Sequence, residues 1–288
     1  MRTVRTVEDL RSVLAGPRGE PGAHSVGLVP TMGFLHAGHV SLLDRARAEC
    51  ETVVMSLFVN PAQFAPGEDL DAYPRDEERD TERAQGAGVD ILFAPPREVV
   101  YPPGFATSIE VAGLTEILCG HPDSRGREHF RGVTTVVGKL LNMVGPDRVY
   151  FGQKDAQQAL VIERMVADLD FRVEVLVCPT VREPDGLAMS SRNAYLDPAE
   201  RERALALSRA LRAADRVVTH GERSASAVLQ AARAVLDEAG VAPDYVELRS
   251  ARDLVPVDRV NGSTLLVIAA QIGQARLIDN TILGDSSR

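Results

Sequence analysis

Tryptophan is absent from this 288-residue chain, and lysine nearly so: Lys139 and Lys154 stand alone among 32 basic side chains, the rest being arginine. Aromatics make up only 5% and the formal net charge is −9. A general nucleic-acid binder uses a basic surface with stacking platforms, so this composition predicts no nucleic-acid partner. Long apolar runs are missing as well. The longest, Val53–Val59 and Leu265–Ala270, fall far short of the ~20 residues that span a bilayer, and no membrane partner is expected. Cysteine is scarce too. Cys50, Cys119 and Cys178 are odd in number, scattered and without C-x-x-C spacing, which argues against a disulfide framework and predicts reduced thiols in the cytoplasm. Met1-Arg2-Thr3-Val4-Arg5 leads into a mixed polar segment with no apolar signal core. What is present, 44% apolar and 25% charged residues, suits a globular protein with core enough for two domains.

Strand and helix patterns alternate to about residue 180. Thr6-Val7-Glu8-Asp9 reads as a capped helix start. Strands are predicted at 25–30, 52–59, 89–94, 147–151 and 172–178, with helices at 39–50, 76–86, 131–144 and 155–168. This alternation predicts an α/β fold, a Rossmann-like parallel sheet with crossover helices, whose ligands sit beyond the strand C-termini. The texture changes after Cys178-Pro179-Thr180. Two helices (198–217 and 224–239) and three strands (244–249, 264–270 and 275–279) follow a turn at Arg182–Gly186. The expected organisation is a Rossmann-like domain over 1–180 and a smaller α+β domain over 181–288.

The strongest motif is Pro30-Thr31-Met32-Gly33-Phe34-Leu35-His36-Ala37-Gly38-His39, which joins an apolar strand to a helical stretch. Gly33 and Gly38 allow close backbone approach, and first-turn N–H groups bind anions, so the segment reads as a phosphate site. Metal ligation by His36 and His39 alone is disfavoured, because no third ligand stands near. A second strand end, Phe151-Gly152-Gln153-Lys154-Asp155-Ala156-Gln157-Gln158, offers Lys154 as a point charge for phosphate and Asp155 as an acceptor for ribose hydroxyls. Leu187-Ala188-Met189-Ser190-Ser191-Arg192-Asn193 combines two hydroxyls with a guanidinium that binds anions bidentately. Asn60-Pro61-Ala62-Gln63, after a buried-looking strand, presents an amide able to grip a hydroxylated substrate. The plain alternatives are a strand exit, a capped helix start and a polar interdomain loop. The acidic run Asp76, Glu77, Glu78, Asp80 and Glu82 is most simply a solvated helix face, with one carboxylate available to a magnesium ion bound by ATP.

Taken together, Pro30–His39, Phe58–Phe64, His129-Phe130-Arg131-Gly132-Val133, Phe151–Gln158 and Thr180–Asn193 resemble the pantothenate synthetase (pantoate–β-alanine ligase) family in order and spacing. That family lies within the H-x-G-H nucleotidyltransferases related to class I aminoacyl-tRNA synthetases. The resemblance implies a homodimer that joins pantoate to β-alanine with ATP, through a pantoyl adenylate. It implies that Met32, Gly33, Phe34, Leu35, His36, Ala37, Gly38, His39, Gly152, Gln153, Lys154, Asp155, Val181, Met189, Ser190, Ser191 and Arg192 hold ATP. By the same resemblance Asn60, Gln63 and Gln158 hold pantoate, while His36, His39, Lys154 and Arg192 do the chemistry. Mg2+ is an expected companion of ATP, with Asp80 its expected carboxylate, and the smaller domain is expected to close over the site. The chain departs from the family pattern in Phe34, where a smaller residue is usual, in Gln153 for a common Glu, and in Arg79, which interrupts the acidic cluster. Two other classes compete: an adenylyltransferase with a different acceptor, and an adenylate-binding regulator without catalysis.

Overall fold

The computed structural model describes residues 1–18, 25–65, 67–68 and 70–284. The chain divides into two compact units, one formed by Met1–Gly152 with Gln158–Pro179 and the other by Gln153–Gln157 with Thr180–Arg288.

The first unit is built on six strands, β1 (Arg2–Val4), β2 (Val26–Thr31), β3 (Thr52–Leu57), β4 (Ile91–Phe93), β5 (Arg148–Gly152) and β6 (Glu174–Cys178). Their order is β1-β4-β3-β2-β5-β6, and every pairing is parallel. Parallel neighbours need long crossovers. These are made by α1 (Val7–Arg18), α2 (Ala37–Glu49), α3 (Glu77–Gly86), the short α4 (Arg97–Val100), α5 (Arg127–Val144) and α6 (Ala156–Asp168). Nearly every residue of β2 and β3 is buried, as expected of strands covered on both faces. The Thr6 start of α1 forms as expected, with the Asp9 amide donating to the Thr6 hydroxyl at 3.1 Å.

Strand order decides where ligands go. From β2 the chain runs outward through β3 and β4, then returns to place β5 on the other side of β2. The loops leaving the C-terminal ends of β2 and β5 therefore lie at the topological switch point, the usual ligand crevice of an open α/β sheet. Both expected phosphate segments begin there. The sequence pattern does not announce β1. Three residues are too few for a readable alternation, and they become a strand only by pairing with β4, Arg2 to Ile91 through Val4 to Phe93.

The second unit packs α7 (Pro198–Thr219) and α8 (Ala225–Glu238) with an antiparallel sheet of β7 (Pro243–Ser250), β8 (Thr264–Ile272) and β9 (Ala275–Leu283). Asp197 and Glu200 form a reciprocal capping box at the start of α7, with Pro198 at its first position. Among the described residues no helix is long and apolar enough to cross a membrane. Cys50, Cys119 and Cys178 are buried free thiols.

Candidate active site

β2 ends at Thr31, whose hydroxyl donates to the Ser56 carbonyl at 2.8 Å and accepts the Gly33 amide at 3.3 Å. The backbone then turns through two left-handed residues, Gly33 (φ 87°) and Phe34 (φ 52°). Glycine takes that conformation freely, whereas phenylalanine needs outside support. The support comes from α3. Both oxygens of buried Asp80 accept backbone N–H groups, from Phe34 and Leu35, each at 2.6 Å. Arg83 donates to the Leu35 carbonyl, and the Arg79 guanidinium lies 4.9 Å over the Phe34 ring. Burial holds the Asp80 carboxyl above the ordinary range despite its two N–H donors, with Asp76 adding repulsion and Arg79 opposing it.

This turn delivers α2. The helix begins at Ala37, two residues earlier than expected, with His36 as its N-cap. His36 Nδ1 accepts the Gly38 amide at 3.1 Å, and His39 Nδ1 accepts the His36 amide at 3.3 Å. The two rings lie 4.1 Å apart, centre to centre. Because each Nδ1 is an acceptor, a neutral ring at either position carries its proton on Nε2. His36 and His39 thus form a reciprocal cap that presents imidazole donors at a helix N-terminus, where the backbone dipole already favours an anion.

After β3, Asn60 caps a short 3-10 turn, Pro61–Gln63. Asn60 is buried and fully engaged. Its Oδ1 accepts from Tyr101 Oη (2.8 Å) and the Ala62 amide (3.3 Å), while its Nδ2 donates to Gln63 Oε1 and the Gly132 carbonyl, both at 3.1 Å. With Gln63 Oε1 taken by a donor, the Gln63 amide presents its own N–H2 group, the arrangement that reads an acceptor such as a carboxylate or hydroxyl oxygen. Burial raises the Tyr101 phenol to about 12, against the pull of its bond to Asn60, so it remains a donor at neutral pH. Gly132 is required here: a Cβ would overlap the Ala62 carbonyl.

His129 on α5 fastens the same loop. Its Nδ1 meets the Gln63 carbonyl at 2.7 Å and its Nε2 faces Arg125 at 3.2 Å, so the proton sits on Nδ1 and Nε2 accepts. Arg125 in turn holds Glu68 through two bonds of 2.9 and 2.8 Å. Burial alone would push the Glu68 carboxyl up, but the hydrogen bonds and charge of Arg125, with the Ala65 amide and His129, hold it below the ordinary range. A depressed folded-state pKa contributes stability that is present above the unfolded value and lost as pH falls through the folded one. Glu68→Gln is therefore expected to cost about 1–2 kcal/mol in urea unfolding at pH 7, the lower part of the range for hydrogen bonds to charged groups. The gap between parent and variant should close as pH drops through the carboxylate range. An equal gap at pH 4 and pH 7 would contradict the charged pair.

In the second unit the other expected residues occupy three turns. Lys154, in the 3-10 turn Gln153–Asp155 directly after β5, is half-buried with its Nζ 4.0 Å from Asp155. Asn280 on β9 pins that turn, donating from Nδ2 to the carbonyls of Gln153 and Lys154, both at 2.9 Å, and accepting from Gln153 Nε2 at 3.0 Å. Val181 and Met189 face each other in a small antiparallel turn, the Met189 amide donating to the Val181 carbonyl at 3.0 Å. Arg182, beside them, makes a bidentate pair with buried Asp279 at 2.6 and 2.9 Å. Ser190 caps the next turn, Ser191–Tyr195, its Oγ accepting the Arg192 amide at 3.2 Å. Asn193 ties that turn to Glu183 and the Ala188 carbonyl.

Sequence reasoning missed Asn280, Tyr101, Asp279 and the Glu68–Arg125 pair. Two of these left a trace, since Asp279-Asn280 directly follows the apolar pair Leu277-Ile278 and is followed by Ile282-Leu283. Gln158 lies on α6 of the first unit, half-buried. Asp76, Glu77, Glu78 and Glu82 form the solvated face expected of them; only Asp80 of that run is buried. The placement of Asp80 gives it an occupation other than the expected magnesium contact, and among the described residues no group of three or more His, Cys, Asp or Glu side chains is placed to hold a metal ion. The described residues do not form a cage for magnesium.

A parallel sheet with a histidine-capped helix N-terminus at its switch point defines an α/β nucleotide-phosphate-binding protein of the H-x-G-H class. Within that class the chain belongs to the pantoate-beta-alanine ligase family, whose model it matches over residues 2–282. It is 53% identical to the pantothenate synthetase of Pelotomaculum thermopropionicum over 288 residues, covering 99% of each chain. The crystal structure of pantothenate synthetase from Thermus thermophilus superimposes with a TM-score of 0.91 at 47% identity, covering 99% of this chain and 100% of that one. A pantoate-beta-alanine ligase from Francisella tularensis, solved in complex with beta-gamma ATP and beta-alanine, is 33% identical with a TM-score of 0.80 over 98% of this chain and 97% of its own.

Proposed function

We propose that this chain joins pantoate to β-alanine at the expense of ATP, giving pantothenate, AMP and pyrophosphate. The choice of acid rests on the buried Asn60–Gln63 pair, whose presented N–H2 group suits the carboxylate and hydroxyl oxygens of pantoate. In the first step a pantoate carboxylate oxygen bonds to the α-phosphorus of ATP, and the bond to the β-phosphate breaks with release of pyrophosphate. The carboxylate is ionised at neutral pH and needs no general base. Its obstacle is one anion approaching another, so the step calls for alignment and charge neutralisation. Lys154, Arg192 and the Nε2–H groups of His36 and His39, set at the N-terminus of α2, are suited to both tasks. Met32–His39, Gly152–Asp155, Val181 and Met189–Arg192 are assigned to ATP, and Asn60, Gln63 and Gln158 to pantoate. Magnesium belongs to this reading as a counter-ion carried by ATP phosphates, which often complete its shell with water.

In the second step the amine nitrogen of β-alanine bonds to the acyl carbon and the bond to AMP breaks. The amine arrives as an ammonium ion and must first lose a proton. The mixed anhydride must meanwhile be kept from water, a role this reading gives to closure of the smaller unit. The reading includes a homodimer, to be checked by sedimentation, and a cytoplasmic setting in which ATP is supplied and the three thiols stay reduced. Pantoate-dependent exchange of labelled pyrophosphate into ATP is the test. Exchange without pantoate, or none with it, would overturn the assignment. Gln63→Ala should raise the pantoate requirement roughly fivefold to a hundredfold, corresponding to about 1–3 kcal/mol for an unpaired group in a closed site. ATP binding measured by calorimetry should stay near that of the parent. Equal losses for both ligands would move the acid pocket elsewhere.

A further inference from the structure

Three side chains of α3 converge on the turn between β2 and α2. Asp80 binds the amides of Phe34 and Leu35, Arg83 binds the Leu35 carbonyl, and Arg79 covers the Phe34 ring. The turn they hold is conformationally costly, because Phe34 sits at φ 52° directly after left-handed Gly33. Successive N–H groups aimed to one side of such a turn make an anion-binding concavity. Here a protein carboxylate fills that concavity. A Cβ on Gly33 would come within 2.7 Å of Asp80 Oδ2, so the carboxylate and the glycine turn are fitted to one another.

We propose that Asp80 is a positioning residue for this reaction, the internal anion that locks the Gly33–Leu35 turn and so sets the reciprocal His36–His39 cap. The inference rests on the adenylate-forming reading for its rate consequence, though not for its structural one. Both carboxylate oxygens are needed, since two N–H donors converge on them from adjacent residues. An asparagine supplies one acceptor and turns its NH2 against the second donor. A metal ligand in the same place would behave differently, because extra metal compensates for a weakened ligand.

The test is Asp80→Asn, compared with the parent enzyme over a magnesium titration at saturating ATP. The expected result is a pyrophosphate-exchange kcat lowered about tenfold to a hundredfold, the scale of an ångström-level misplacement. The KM for pantoate and the magnesium midpoint should each stay within about twofold of the parent, as a misplaced cap leaves ground-state binding intact. The imidazole nitrogen resonances of His36 and His39 should shift in the ligand-free variant, a readout that stands even if the enzyme's substrate has been misassigned. Recovery of activity at high magnesium with a raised midpoint would make Asp80 a metal ligand and overturn the proposal, as would unshifted histidine resonances. Should Asp80→Asn fail to fold, Arg83→Met removes the clamp on the Leu35 carbonyl. It should show the same split between kcat and KM at reduced size, and a parent-like kcat with parent-like resonances would overturn the proposal.

Discussion

Lys154→Ala and Arg192→Ala should each lower pantoyl adenylate formation about a hundredfold to a thousandfold, the effect of removing one preorganised charge from a developing anion. Lysine is a compact point charge and arginine a planar fork, so neither replaces the other without loss. Lys154 is well suited to the role because its turn is fixed from both sides. β5 precedes it, and Asn280 holds the carbonyls of Gln153 and Lys154, so the ammonium stem starts from a rigid base. Arg192 starts from a capped turn of its own, tied through Ser190 Oγ. Single-turnover release of pyrophosphate at saturating ATP and pantoate measures the step directly, and unchanged thermal unfolding shows that the fold survives. Near-normal release by either variant would remove that residue from the chemistry and leave it as a surface cation.

His39→Ala should lower kcat by about a hundredfold or more, the range for loss of a positioned proton donor or charge stabiliser, while the affinity for ATP changes less. The reciprocal cap complicates this substitution, because His39 Nδ1 also accepts the His36 amide. Loss of a cap costs about 1 kcal/mol of stability on its own. His39→Asn separates the two roles, since its side-chain oxygen can still accept that amide but it has no imidazole. Stability restored by asparagine with kcat still depressed assigns the ring to the reaction. Restoration of both would make His39 a structural cap only, and loss of ATP affinity with normal turnover would make it a ground-state binding residue.

Local spacing carried much of this protein. The alternation of apolar runs with helical stretches announced the parallel sheet, and the glycine and histidine positions in Pro30–His39 announced a tight turn into a helix N-terminus. The Thr6–Asp9 cap was equally legible. Such features depend on residues within a few positions of each other, which is the range over which backbone geometry is encoded. Strand β1 is not legible locally because three residues have no pattern of their own, and only pairing with β4 makes them a strand.

Residue choice alone determined that this chain would build an α/β nucleotide-binding fold, with the H-x-G-H segment, Lys154 and the Ser190–Arg192 turn as its charged and hydroxylated equipment. Tertiary structure decided what each group does with its neighbours. Asp80 reads in sequence as one carboxylate among five, yet burial and two amides 45 and 46 residues away commit it to a turn. Gln63 reads as an amide that can donate or accept, and Asn60, itself held by Tyr101 and by the Gly132 carbonyl, makes it a donor. Asn280 lies just past the strand predicted at 275–279 and becomes the anchor of the Lys154 turn. The physical reason is common to all three. A hydrogen-bonding side chain has several equivalent uses in solution, and only burial beside a particular distant partner, where an unmade bond is costly, selects one of them.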